Sequence, residues 1–230
     1  MKFIIVGLGN FGASLAEKLT QQGNEVIGID SRMEKVNSLK EKISHTICMD
    51  ATDEETVADL PLKNTDIIMV CIGEDQGANV MATALFKNLG VKRLISRSIN
   101  PLHENVLRAI GVDEIVRPEQ ENAERWAKKL CLKGVIDSFE LNKNYSIVEV
   151  KTPEYFVGKS IEEIEFRKKH NILILTILKQ TQESSFLGTT KNTTTSQGIP
   201  DFETILENDD ILVLYGNNKD LNKFVNYKSA

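Results

Sequence analysis

GLGNFG (residues 7–12) follows the apolar run KFIIV (2–6) and opens ASLAEKLTQQ (13–22), a segment of helical period. Alone, such a glycine turn is a weak motif; between a strand and a helix it becomes a dinucleotide fingerprint. Gly7 permits the tight turn, Gly9 lets the backbone approach a pyrophosphate, and Gly12 allows the helix to pack closely on the sheet. Asn10 and Phe11 complete the loop, and the helix N-terminus offers N–H groups and partial positive charge to the phosphate. EVIGID (25–30) reads as the next strand. Its last residue, Asp30, stands 18 residues beyond Gly12, near the ~20 at which a carboxylate holds ribose hydroxyls. An acid there favours NAD-like or adenosine ligands over a 2′-phosphate. The competing reading is a glycine turn with a structural role.

Working outward, the same alternation continues. HTICMD (45–50), DIIMVCIG (66–73), KRLISRS (92–98) and EIVRP (114–118) read as strands. RMEKVNSLKEK (32–42), TDEETVADL (52–60), QGANVMATALFKNLG (76–90) and LHENVLRAIG (102–111) read as helices. Strands apolar on both faces and separated by helices imply an α/β fold with a Rossmann-like, doubly wound parallel sheet. Gly23, Gly90 and Gly111 suit the left-handed position after a helix, and Thr52 with Glu55 fits a capping box. Ligands of such sheets bind at the carboxyl ends of the strands. That edge carries Ser31 after Asp30, then Asp50, Ala51 and Thr52, then Gly73 and Glu74, then Arg97. Asp50 to Thr52 serve equally as a helix cap, and Arg97 is either a bidentate phosphate donor or a surface ion-pair partner.

ENAERWAKKLCLKG (121–134) extends a helical pattern whose Ala123, Trp126, Ala127, Leu130 and Cys131 share one face. The style then changes, which divides the chain into residues 1–134 and a small α+β domain, 135–230. In the latter SFELN (138–142), YSIVEVK (145–151), NILILTILK (171–179) and DILVLYG (210–216) read as strands, and SIEEIEF (160–166) and KDLNKFVN (219–226) as helices. The threonine-rich stretch 180–200 reads as a long hairpin or a solvated loop.

Composition narrows the function. A net charge of −5 with no basic stripe argues against nucleic acid, and no apolar run approaches the ~20 residues of a membrane span. A cytoplasmic protein is expected. Cys48, Cys71 and Cys131 lack CxxC spacing and read as small core residues, and three scattered histidines give no zinc pattern. A dehydrogenase needs an acid or base beside the nicotinamide and a domain to enclose substrate. No such constellation is visible, so the nucleotide is expected to be sensed rather than consumed. A small NAD-dependent oxidoreductase is the alternative. A redox-responsive transcription factor needs a helix-turn-helix that the sequence does not show.

MDATD (49–53), CIGEDQGAN (71–79), ISRSINPLHENVLRAIGVDEIVRPEQENA (95–123) and FVGKSIEEIEFRKKHNILILTILK (156–179), in this order after GLGNFG and Asp30, resemble the KTN/RCK family of the TrkA and KtrA type. The resemblance covers nearly the whole chain. It implies a Rossmann-like N-terminal RCK domain binding NAD(H), ADP or ATP, and a small C-terminal RCK domain. It also implies self-association into dimers and commonly octameric rings that dock on a membrane-embedded potassium transporter at the inner face of the cell membrane. Gly7, Gly9, Gly12, Asp30, Asp50, Ala51 and Thr52 match the family's nucleotide pocket. Glu119 matches an acidic position that in some members binds a divalent cation. KtrA-type proteins often carry arginine where this chain has Asn10, which moves the expected ligand from ATP toward NAD(H) or ADP. Some relatives bind a cyclic dinucleotide near positions like Ile164, Phe166, Arg167 and His170, for which dimer packing is the competing reading.

Overall fold

KFIIV forms β1 (Lys2–Val6), and its unbroken apolar run serves two cores. Ile4 and Val6 join Ile68, Val70, Ala82, Phe86 and Leu94 on one side of the sheet. Ile5 packs with Ala16, Val36, Leu39 and Met69 on the other. A strand buried on both faces has no solvent face to make polar. The structure, a computed structural model, describes residues 1–131, 134–184 and 190–227.

After β1 come α1 (Asn10–Gln21), β2 (Glu25–Asp30), α2 (Met33–Leu39), β3 (His45–Cys48) and α3 (Glu54–Ala58). Then follow β4 (Ile67–Val70), α4 (Gln76–Asn88), β5 (Leu94–Arg97), α5 (Pro101–Ile110), β6 (Glu114–Val116) and α6 (Pro118–Cys131). Six parallel strands stand in the order β3-β2-β1-β4-β5-β6. This is the expected doubly wound sheet, with the strand order reversing between β1 and β4. Gly23, Gly90 and Gly111 all have positive φ, and Gly111 closes α5 in the left-handed region at φ 85°.

Two expectations for local structure need correction. The cap of α3 is Asp53, whose carboxylate accepts from Glu55 N at 3.0 Å, not Thr52. The Thr52 hydroxyl donates instead to Asp50 Oδ1 at 2.7 Å. SIEEIEF is not one helix but α7 (Ile161–Ile164) and α8 (Phe166–His170), broken at Glu165 with φ 51°. Ile164 and Phe166 lie two residues apart and would face different sides of a continuous helix. The left-handed residue, at a cost of about 1–2 kcal/mol, lets both bury, at 2% and 4% exposure.

The chain divides into compact units Met1–Glu121 and Asn122–Ala230, a division that falls inside α6. In the second unit β7 (Val135–Asn142), β8 (Tyr145–Lys151), β9 (Ile172–Ser184), β10 (Thr190–Ser196) and β11 (Ile211–Asn217) form an antiparallel sheet ordered β10-β9-β11-β8-β7. β9 and β10 pair as a hairpin through the threonine-rich stretch, whose residues 185–189 lie outside the described residues. Val148, Val150, Leu212 and Leu214 meet Phe156, Ile164, Phe166 and Phe224 in one core, capped by α9 (Asn218–Val225). His170 touches Phe156, Phe224 and Tyr227 edge-on, while Arg167 is exposed. The apolar face expected on α6 is open within the chain, with Trp126 54% and Leu130 77% exposed. The Cys131 side chain lies outside the described residues.

One buried side chain aligns the strand ends at the ligand edge. Asn79, fully buried on α4, donates to Ile72 O (2.8 Å) beyond β4 and to Arg97 O (3.3 Å) at the end of β5. Its Oδ1 lies 3.1 Å from His103 Nε2 and accepts from Ser96 Oγ at 3.2 Å. Because that oxygen only accepts, His103 carries its proton on Nε2. Replacing Asn79 by leucine, near in volume, strands two carbonyls and an N–H and should cost about 3 kcal/mol or more. Urea unfolding of the variant checks this, and an unshifted midpoint would remove the role assigned to Asn79.

Burial lowers the pKa of His103, and burial followed by the charge of Lys169 lowers that of His170. A histidine depressed in the folded state takes its proton first in the unfolded chain. The stability it contributes is full above the unfolded value of about 6.5 and is lost as pH falls below it. Melting followed from pH 7.5 to 5 should show a falling midpoint, above the range in which carboxylates titrate. His170→Phe should flatten that fall, and an unchanged slope would assign it elsewhere.

Candidate functional site

The carboxyl ends of β1, β2, β4 and β5 surround a cavity of about 500 Å³, a size suited to a small-molecule ligand. The glycine loop forms its floor. At Gly7, φ is 92° and a Cβ would stand 2.9 Å from Ile72 N; at Gly12 a Cβ would lie 2.0 Å from Gly7 O. Those two glycines are demanded by packing. Gly9 is different, because a Cβ there meets nothing within 4 Å among the described residues and Gly9 lines the cavity. Gly9 is also the N-cap of α1, with no side-chain cap among the described residues and no acid in the first turn. The first N–H groups of α1 are therefore left for an anion.

Asp30 closes β2 with its carboxylate buried. Oδ2 accepts from Leu8 N at 2.8 Å, and Oδ1 accepts from Arg32 N at 2.9 Å and lies 3.4 Å from Arg32 Nε. Oδ1 is filled by the two Arg32 donors, and Oδ2, with one donor, retains acceptor capacity for a ribose hydroxyl. Arg32 also donates from Nη1 to Glu74 Oε2 at 3.0 Å. Its pKa is raised by the charge of Asp30 and then by that of Glu74.

Beyond β3, Asp50 Oδ1 accepts from Thr52 N at 2.9 Å as well as from its hydroxyl. These bonds hold the Asp50 carboxyl below its ordinary pKa, the backbone N–H contributing most. At the far wall Arg97, 16% exposed, donates to Cys71 O at 3.3 Å and pairs with Glu119, while its Nε has no partner among the described residues. A Cβ on Gly73 would stand 2.5 Å from Arg97 Nη1, so that glycine makes room for the guanidinium. Cys71 is buried and its thiol is pushed up to about 12 by desolvation, which makes it an inert wall residue. Cys48 is half-buried.

Of the residues singled out for nucleotide contact, all but Gly12 line the cavity; Gly12 lies beneath it. Glu119 lines it too, with its carboxylate on Arg97 rather than in an acidic cluster. No group of three or more His, Cys, Asp or Glu suited to a metal occurs among the described residues. Sequence reasoning missed Arg32, two residues past a recognised acid, and Asn79, whose apolar neighbours on α4 were its one available signal. No helix among the described residues is long and apolar enough to cross a membrane.

Comparison with known proteins matches the TrkA-N domain model to residues 3–118 and the TrkA-C domain model to residues 145–229. The chain is 32% identical over 223 residues to Ktr system potassium uptake protein C of Bacillus subtilis, covering 97% of this chain and 95% of that protein. With Ktr system potassium uptake protein A of the same organism it shares 31% over 225 residues, or 98% and 96% of the two chains. Among solved structures, the GsuK RCK domain superposes with a TM-score of 0.65 at 19% identity, covering 99% of this chain and 48% of that one. The GsuK channel bound to NAD gives 0.64 at 19%, covering 99% and 40%. This chain thus spans less than half the length of those two chains, which share its fold. With both halves matched in order and relatives aligned over almost their full length, the chain belongs to the family of potassium uptake proteins built from a TrkA-N and a TrkA-C domain.

Proposed function

We propose that the chain is a nucleotide-sensing regulatory subunit of a potassium uptake transporter or channel, and that it controls potassium flux through ligand-dependent changes in a ring of its copies. One observation carries the nucleotide reading: a cavity at the β1/β4 switch point joins the uncapped start of α1 to the Asp30 carboxylate. Anion site and ribose acceptor stand where a dinucleotide needs them. Kinship with Ktr potassium uptake proteins supports the process, and the fold shared with a channel bound to NAD supports the ligand class.

Residues 1–134 hold the nucleotide and residues 135–230 form the C-terminal RCK domain. NAD(H) or ADP is the regulatory ligand, since Asn10 brings no charge to a third phosphate. The exposed Trp126, Leu130 and Phe139 supply apolar surface for self-association into dimers and an octameric ring. The ring sits at the inner face of the membrane through its transporter partner. Sensing requires no turnover; the nucleotide acts by binding two ring conformations with different affinity. A divalent cation at Glu119 must displace Arg97. A cyclic dinucleotide at the second unit finds Arg167 exposed but Ile164 and Phe166 already in the core.

Calorimetric titration with NAD, NADH, ADP and ATP should show saturable binding without substrate-dependent change in nicotinamide absorbance. Asp30→Ala should weaken it by about 1–3 kcal/mol through the lost ribose bonds, with circular dichroism checking that the Leu8 turn survives. Absence of heat for every nucleotide would sink the reading. In a second test Asn10→Arg should raise affinity for ATP relative to ADP, and potassium flux through a co-expressed pore subunit should follow nucleotide occupancy. Flux indifferent to the subunit would remove the regulatory role.

A further inference from the structure

Arg32 lies two residues beyond the end of β2 and Glu74 beyond the end of β4. In the order β2-β1-β4 these strands flank β1, so their 3.0 Å ion pair crosses above the carboxyl end of β1. A nucleotide running from the glycine loop to the crevice passes there. Both side chains line the cavity, and both are accessible, at 44% and 78% exposure. An ion pair so exposed is screened by water and opens readily. The other arginine of the cavity, Arg97, is largely buried and fixed by Cys71 O and Glu119. Arg32 is therefore the guanidinium able to change partners.

Its neighbour makes the exchange meaningful. An acid at the end of the second strand disfavours a phosphate on the adenosine ribose through its negative charge. Here that charge is met by Leu8 N and Arg32 N and faces the Arg32 guanidinium at 3.4 Å. The exclusion is weakened, and the planar donor fork suited to phosphate stands beside the ribose position. Glu74 holds that fork as an internal stand-in for the phosphate.

We propose that Arg32 trades Glu74 for a phosphate on the adenosine ribose, so that the pocket takes 2′-phosphorylated adenine nucleotides as well as unphosphorylated ones. This rests on the nucleotide reading above. Glu74 competes with the ligand, and Asp30 continues to serve the remaining ribose hydroxyl.

NADH and NADPH differ by the 2′-phosphate alone and separate the two readings by calorimetry on the full chain. Both should bind the wild-type protein. Arg32→Gln should weaken NADPH by about tenfold or more while changing NADH by less than about threefold. Arg32→Lys, which keeps the charge and loses the fork, should fall between. Glu74→Gln should strengthen NADPH by more than it changes NADH. Circular dichroism confirms that each variant is folded. Wild-type binding of NADH without NADPH, or equal loss of both in Arg32→Gln, overturns the proposal and leaves the nucleotide site intact. Binding of neither overturns this proposal, and the nucleotide reading falls with it only when ADP and ATP also give no heat.

Discussion

A buried carboxylate needs donors, and Asp30 finds them in two separate turns. Leu8 N belongs to the glycine loop after β1, and Arg32 N to the turn that starts α2. One side chain thereby fixes the phosphate floor relative to the end of β2. The close approach of Gly12 to Gly7 O fixes the same floor relative to α1. With both anchors set, the first N–H groups of α1 and the free acceptor capacity of Asp30 face one cavity. The acid that marks a nucleotide fingerprint is thus also a structural member of the pocket.

Much of this was legible because a doubly wound sheet writes itself as apolar runs with helical spacers. KFIIV and DIIMVCIG have no polar alternation since both faces are covered, and glycine marks helix ends where a left-handed residue is required. What was missed depends on which of several nearly equal local choices the tertiary structure selects. Asp50 and Asp53 both offer a carboxylate to the N–H two residues on, and the chain leaving β3 makes the second the cap. SIEEIEF has unbroken helical propensity, yet burying Ile164 and Phe166 together outweighs continuity. Arg32 reads as an ordinary surface residue until the strand order places Glu74 opposite it.

Asn79 shows why a polar residue can be indispensable without touching a ligand. β4 and β5 end in carbonyls that the sheet no longer pairs, and burial makes an unpaired carbonyl costly. A single amide answers both and is itself answered by His103 and Ser96. The positions of Gly73 and Arg97 at the far wall follow from that alignment.

The cavity's cationic side chains arrive already engaged, Arg32 with Glu74 and Arg97 with Glu119. An anion at the start of α1 meets free N–H groups, whereas one at Arg32 must take the place of a carboxylate. Glu119 lies in the first turn of α6, the helix through which the chain leaves the first unit. The fixed Arg97–Glu119 pair ties the start of that helix to the end of β5. A sensor requires only that the exchange at Arg32 differ in free energy between two arrangements of the assembly. The pre-formed Arg32–Glu74 pair keeps the difference within reach of a nucleotide, because the Glu74 carboxylate set free is 78% exposed and water takes up its charge.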